Sequence, residues 1–143
     1  MRILGRHLIV EFTDCDRELL NSTDRLENFT REAVRRSGAT IVQSVFHRYN
    51  PHGVSGVIVI AESHISIHTW PEYGYAAADF FTCGESVDPY AAFDYMKEAL
   101  KARAAAVTEI KRGMPSARDE VICHKPVDTP EFSHEATSRQ TVR

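Results

Sequence analysis

Long hydrophobic runs are missing from this sequence. The longest uninterrupted apolar stretch, Val57 to Ala61, is a strand's length and falls far short of the ~18–20 residues a membrane span requires. No membrane partner is therefore expected. No secretory leader is expected either. Charges interrupt MRILGRHLIVEF, and no small-residue cleavage site follows it. Cysteine is scarce and odd in number: Cys15, Cys83 and Cys123 are widely spaced. That argues against a disulfide framework or a zinc finger and for a reducing, cytoplasmic setting. No excess of one charge sign exists either, since 17 Lys and Arg stand against 20 Asp and Glu for a net charge of -3. A polyanion-binding surface, and with it a nucleic-acid partner, is not expected. No repeat of 20–50 residues is visible. What remains is one domain's length of chain, 143 residues, with enough apolar content at 43% to form a compact core.

Composition changes near Gly113. Before it, apolar periodic segments alternate with short turns. After it, residues 114–143 hold three of the six prolines, Pro115, Pro126 and Pro130. The expected division is a domain over residues 1–113 followed by an extended or partly disordered tail over 114–143.

The domain reads as β-α-β-β-β-β-α-β. His7 to Phe12 is a strand. Leu26, Phe29, Ala33 and Val34 define one face of a helix between Ser22 and Arg36, with Ser22 as cap and Gly38 as stop. Ala39 to Tyr49 is a second strand, and Pro51-His52-Gly53 turns the chain. Val54 to Glu62 is apolar on both faces, so a central strand covered on both sides is expected. In His64 to Thr69, Ile65 and Ile67 point one way and His64, Ser66 and His68 the other. Tyr75 to Cys83 is another strand. Asp88-Pro89 opens a helix that buries Ala92, Phe93, Met96 and Leu100. Ala105 to Lys111 supplies the last strand. Two helices cover only one face of such a sheet. A second copy of the chain is the simplest cover for the other, which predicts a homodimer packed sheet against sheet.

Reactive side chains are densest between Tyr49 and Gly84. Ser55, Ser63, His52, His64, His68, Glu62, Glu72 and Cys83 all fall there, mostly at strand ends and turns. His64 and His68 have a spacing that suits a metal on a helix. On a strand the same spacing separates them by ~13 Å, too far for one ion, and no metal is expected. Ser63 lies in no G-x-S-x-G elbow, so an ordinary serine hydrolase has little support. Cys83, taken alone, reads as a buried thiol at a strand end. Trp70, before a proline in a loop, suits either a planar ligand or a subunit interface.

Taken together, ESHISIHTWPEYGYAAADFFTCG, LGRHLIVEF, FHRYNPHGVSGV and DPYAAF resemble the bacterial S-adenosylmethionine decarboxylase proenzymes. The similarity runs from about Leu4 to Gly113, with the blocks in matching order and spacing. The resemblance implies a pyruvoyl-dependent enzyme that cleaves itself between Glu62 and Ser63 into residues 1–62 and 63–143. Ser63 would attack the Glu62 carbonyl, and loss of its α-proton would leave a covalent pyruvoyl group derived from Ser63. That group would form a Schiff base with the substrate amine and act as electron acceptor. By the same resemblance His68 is the proton acceptor in processing, Ser55 supports it, and Cys83 is the catalytic proton donor. Tyr49, Trp70, Glu72 and Ile60 would bind the substrate, S-adenosylmethionine. Tyr49 departs from the family, whose members often carry phenylalanine there.

The fold class expected is α+β: a two-layer sandwich with a mainly antiparallel sheet, two helices on one face, and sheet-to-sheet dimerisation. The expected product is decarboxylated S-adenosylmethionine for spermidine synthesis. The alternatives are a pyruvoyl-dependent arginine or ornithine decarboxylase on the same fold, and a non-catalytic dimeric binding module.

Overall fold

A computed structural model of the chain describes residues 3–114. The expected tail therefore lies outside the described residues, apart from Met114. The described residues form β1 (Gly5–Thr13), α1 (Arg17–Leu20), α2 (Thr23–Ser37), β2 (Thr40–Arg48), β3 (Val54–Ala61), β4 (Ser63–Trp70), a 3-10 turn (Pro71–Tyr73), β5 (Tyr75–Cys83), α3 (Pro89–Ala99) and β6 (Ala104–Arg112). Among them, no helix is long and apolar enough to cross a membrane.

Local chemistry sets the helix ends. The Ser22 side chain accepts the backbone N–H of Arg25 at the start of α2, satisfying a donor that the helix leaves free. At the other end Gly38 takes φ 81°, the left-handed turn that a glycine C-terminal cap supplies without steric cost. Asp24 in the first turn and Arg35 and Arg36 in the last complement the helix dipole. Asp88 caps α3 by accepting from Tyr90 N, with Pro89 at the first helical position.

The strands lie in one sheet in the order β2-β3-β4-β5-β1-β6, and every pair is antiparallel. Helix α2 packs on β2 and β3, α3 packs on β5 and β1, and the two helices touch each other. The result is a two-layer α+β sandwich with both long helices on one face. Its core joins Leu8, Val10 and Phe12 of β1, Ile58 and Ile60 of β3, Ile65 and Ile67 of β4 and Phe80 of β5 to Leu26, Val34, Met96 and Leu100 of the helical layer. Each such side chain contributes ~1.5–3 kcal/mol when fully withdrawn from water.

One expectation needs correction. Strand β3 is not central: it sits one place in from the β2 edge, and β4 and β5 occupy the middle. Its inner residues Val54, Ile58 and Ile60 are buried, but Val59 on its outer face is exposed. The two-sided apolar pattern marks a surface bare in the single chain and not a central position. Val45 (55% exposed), Ile9 and Ile110 lie on that same outer face by register.

Candidate active site

Strand alternation places the reactive groups. On β4, Ile65 and Ile67 turn into the core, so His64, Ser66 and His68 stand on the outer face. On β5, burial of Ala78, Phe80 and Thr82 leaves Ala77, Asp79, Phe81 and Cys83 on that face. His68 pairs with Ser55 of β3 across the ladder, and Ser55 Oγ and His68 Nδ1 are 2.7 Å apart in a hydrogen bond.

These two residues open onto a cavity of about 340 Å³ whose lining includes Tyr49, His52, Trp70 and Glu72. Six of the residues singled out in the sequence are thus brought together: Tyr49, His52, Ser55, His68, Trp70 and Glu72. Tyr49 is 50% and Trp70 39% exposed, so both present aromatic surface to solvent. Trp70 packs on Tyr75 with ring centres 5.2 Å apart, and Tyr49 meets His47 edge to face at 4.8 Å. Glu72 Oε2 lies 3.0 Å from His52 Nε2.

Ser63 lies at the other end of β4. It pairs with Ile60 across a tight connection made by Ala61 and Glu62, and with Thr82 of β5. Its φ is 104°, a backbone region essentially reserved for glycine that costs on the order of 1–3 kcal/mol for other residues. The Ala61–Glu62 peptide is cis. Ile60 is 3% exposed on the helix side of β3, so it anchors this hairpin from within the core and does not stand with Ser55. Cys83 closes β5 next to Thr82, the residue that pairs with Ser63. Burial pushes the Cys83 thiol up, Glu62 pushes it further, and Arg112 draws it back. The thiol therefore keeps its proton at neutral pH. By contrast Cys15 is buried beside Asp14 and pushed up to about 11, as expected of an inert thiol.

Between the two ends lies a cluster that the sequence reading missed. Asp79 Oδ2 is 2.8 Å from His7 Nε2 and 3.0 Å from His64 Nε2, and Ser66 Oγ donates to Asp79 Oδ1. Burial raises the Asp79 carboxyl, but the bonds from Ser66, His64 and His7 outweigh it and hold the group below the usual range. The ligand atoms of His7, His64 and Asp79 lie within 4.8 Å of one another, close enough for a metal trio. Arg112 Nη1, which can only donate, stands 3.4 Å from His7 Nδ1. His7 therefore carries its proton on Nε2 and gives it to Asp79, which leaves no lone pair there for a metal. A guanidinium at that distance also repels a cation. The cluster is a hydrogen-bonded network. Only the alternation of His64 and Ser66 hinted at it, because His7 and Asp79 come from strands far away in sequence.

A family model described as S-adenosylmethionine decarboxylase matches residues 6–113. The chain is 59% identical over 113 residues to the S-adenosylmethionine decarboxylase proenzyme of Thermotoga maritima, covering 79% of this chain and 87% of that protein. It is 52% identical over 114 residues to the proenzyme of the same name from Caldicellulosiruptor saccharolyticus, covering 80% and 92%. The fold is similar to the crystal structure of the adenosylmethionine decarboxylase from Aquifex aeolicus, with a TM-score of 0.77, 30% identity, and coverage of 85% of this chain and all of that one.

Proposed function

The chain belongs to the S-adenosylmethionine decarboxylase family, and from that premise we propose a self-processing, pyruvoyl-dependent enzyme. It converts S-adenosylmethionine to decarboxylated S-adenosylmethionine and carbon dioxide, supplying the aminopropyl donor for spermidine. The observation that carries this reading is the φ of 104° at Ser63. Moving the Glu62 acyl group from nitrogen to oxygen is uphill in a relaxed chain, and strain held at Ser63 offsets part of that cost. The Ser63 hydroxyl adds to the Glu62 carbonyl, the amide becomes an ester, and loss of the Ser63 α-proton expels the Glu62 carboxylate. The dehydroalanine so formed tautomerises to an imine, water hydrolyses it with release of ammonia, and the ketone left at residue 63 supplies the electron acceptor for decarboxylation.

The chain's own side chains do the rest. Cys83, whose thiol is pushed up by partial burial and by Glu62 and so keeps its proton at neutral pH, donates to the substrate α-carbon once carbon dioxide has left. Tyr49 and Trp70 offer exposed π faces to an adenine ring or a sulfonium cation, and Glu72 offers a carboxylate to ribose hydroxyls. His68 takes the proton in processing, with Ser55 holding its ring by the 2.7 Å bond.

One geometric fact supports a dimer. Ser63 and His68 are five residues apart on one strand, about 16 Å at ~3.3 Å per residue. His68 of the same chain cannot reach Ser63. In this reading a second copy laid sheet to sheet brings a further His68 to the outer face, at the subunit boundary. It also covers Val45, Val59, Ile9 and Ile110, the apolar residues exposed on this face. A working thiol fits a reducing cytoplasm. The arginine- or ornithine-directed alternative finds no support, since each relative reported above is named as a decarboxylase of adenosylmethionine.

Intact-mass measurement tests processing. The purified chain should appear as residues 1–62 and 63–143, the second with its amino terminus blocked as a pyruvoyl, and Ser63→Ala should remain one chain with no decarboxylation. Activity in an unbroken chain would overturn the reading. Sedimentation tests the assembly, and an active species with the mass of a single protomer would remove the partner's role.

A further inference from the structure

Gly5 on β1 pairs with Cys83 of β5 on one side and with Arg112 of β6 on the other. Residues in register share a face, so the thiol and the arginine flank a position that has no side chain. The gap is already in use. A Cβ at Gly5 would fall 2.8 Å from the edge of the Phe81 ring, 2.8 Å from the Thr82 carbonyl oxygen and 3.1 Å from Cys83 Sγ. Arg112 lies toward the same place: its guanidinium carbon is 4.5 Å from the centre of the Phe81 ring, and its Nη1 is 3.4 Å from His7 Nδ1. A β6 cation thus reaches past β1 to a ring on β5, two residues from the thiol.

We propose that Arg112 is a positioning residue for the Cys83 thiol, its guanidinium set over Phe81 beside the thiol, across the position that Gly5 leaves without a side chain. The inference rests on the reading of Cys83 as proton donor. The charged and titratable groups around the thiol are Glu62 from the β3–β4 turn, His64 from β4, His7 from β1, Arg112 from β6 and Asp79 on its own strand. Among those that act on it, burial and Glu62 make the proton harder to release, and Arg112 works against both. Self-cleavage after Glu62 adds a second carboxylate there, so the counter-charge matters more in the matured enzyme than in the precursor.

The test is the pH profile of Cys83 alkylation by iodoacetamide. It is followed on the Cys83 peptide, so that Cys15 and Cys123 do not contribute, in both Ser63→Ala precursor and matured protein. Arg112→Gln should move the profile to higher pH and slow alkylation at neutral pH roughly threefold or more, with the larger change in the matured form. Arg112→Lys, which keeps the charge, should recover most of it. In matured enzyme kcat should fall with KM nearly unchanged. Gly5→Ala, which closes the gap, should move the profile the same way as Arg112→Gln. Superimposed profiles for wild type and Arg112→Gln overturn the proposal, as does a fall in kcat with an unmoved profile, which marks a merely structural role. If wild-type protein neither cleaves nor decarboxylates, the functional reading fails separately, because the alkylation profile does not depend on turnover.

Discussion

The two faces of the sheet use the same strands for opposite ends. On the helix side, β1, β4 and β5 present Leu8, Val10, Phe12, Ile65, Ile67, Ala78 and Phe80, all buried. On the outer side the intervening positions are His7, Ile9, Glu11, His64, Ser66, His68, Asp79, Phe81 and Cys83. One step along a strand moves from a residue that holds the fold together to one that can carry chemistry. The period of two in a β-strand makes this separation possible. It allows titratable and nucleophilic groups to gather on one surface while the buried polar side chains of these strands are the hydroxyls of Thr69 and Thr82.

Substitutions on the two faces should therefore separate activity from stability. The largest effect is expected on the outer face: Cys83→Ala should leave self-cleavage intact and lower kcat by about 10²–10⁴-fold, with an unchanged denaturation midpoint. Loss of several kcal/mol of stability in that variant would erase the distinction. On the helix face, Phe80→Ala should cost about 3–5 kcal/mol in chemical denaturation, while protein that still folds keeps its cleavage chemistry.

Asp79→Asn sharpens the comparison, because it asks whether an outer-face group also stabilises the fold. The carboxyl is held below its ordinary value in the folded chain. Its contribution is therefore fully present above the unfolded carboxylate range and is lost as pH falls through the folded value. The variant should be about 1–2 kcal/mol less stable at neutral pH. The gap should close as the pH falls below about 4, near the ordinary Asp value. A gap that stays constant with pH would assign the loss to packing.

The order of the main elements could be read from the sequence because each has a local cause. Ser22, Gly38, Asp88 and Pro89 mark helix ends through hydrogen bonds and backbone angles that involve only near neighbours. Ile65 and Ile67 declare a buried face by alternation alone. The short α1 and the 3-10 turn at Pro71–Tyr73 lack such periodicity and were not foreseen. Position within the sheet was not legible either. The two-sided apolar pattern of β3 describes what its faces meet and carries no information on which strands flank it. At the site, the grouping of Tyr49, His52, Ser55, His68, Trp70 and Glu72 follows from one hairpin and its flanks, so sequence proximity was a fair guide. The His7–Asp79–His64 network and the approach of Arg112 depend on β1 lying between β5 and β6, which no local pattern states.

Strand order has one more consequence. Residues up to Glu62 provide β1, β2 and β3, and those from Ser63 provide β4, β5 and β6. In the sheet these sets are shuffled: β3 abuts β4, and β1 is wedged between β5 and β6. Breaking the bond between Glu62 and Ser63 cuts none of those ladders. Each daughter alone would be left with one hairpin and an orphaned strand, so the pair stays interlocked like clasped fingers and comes apart only when the entire domain melts.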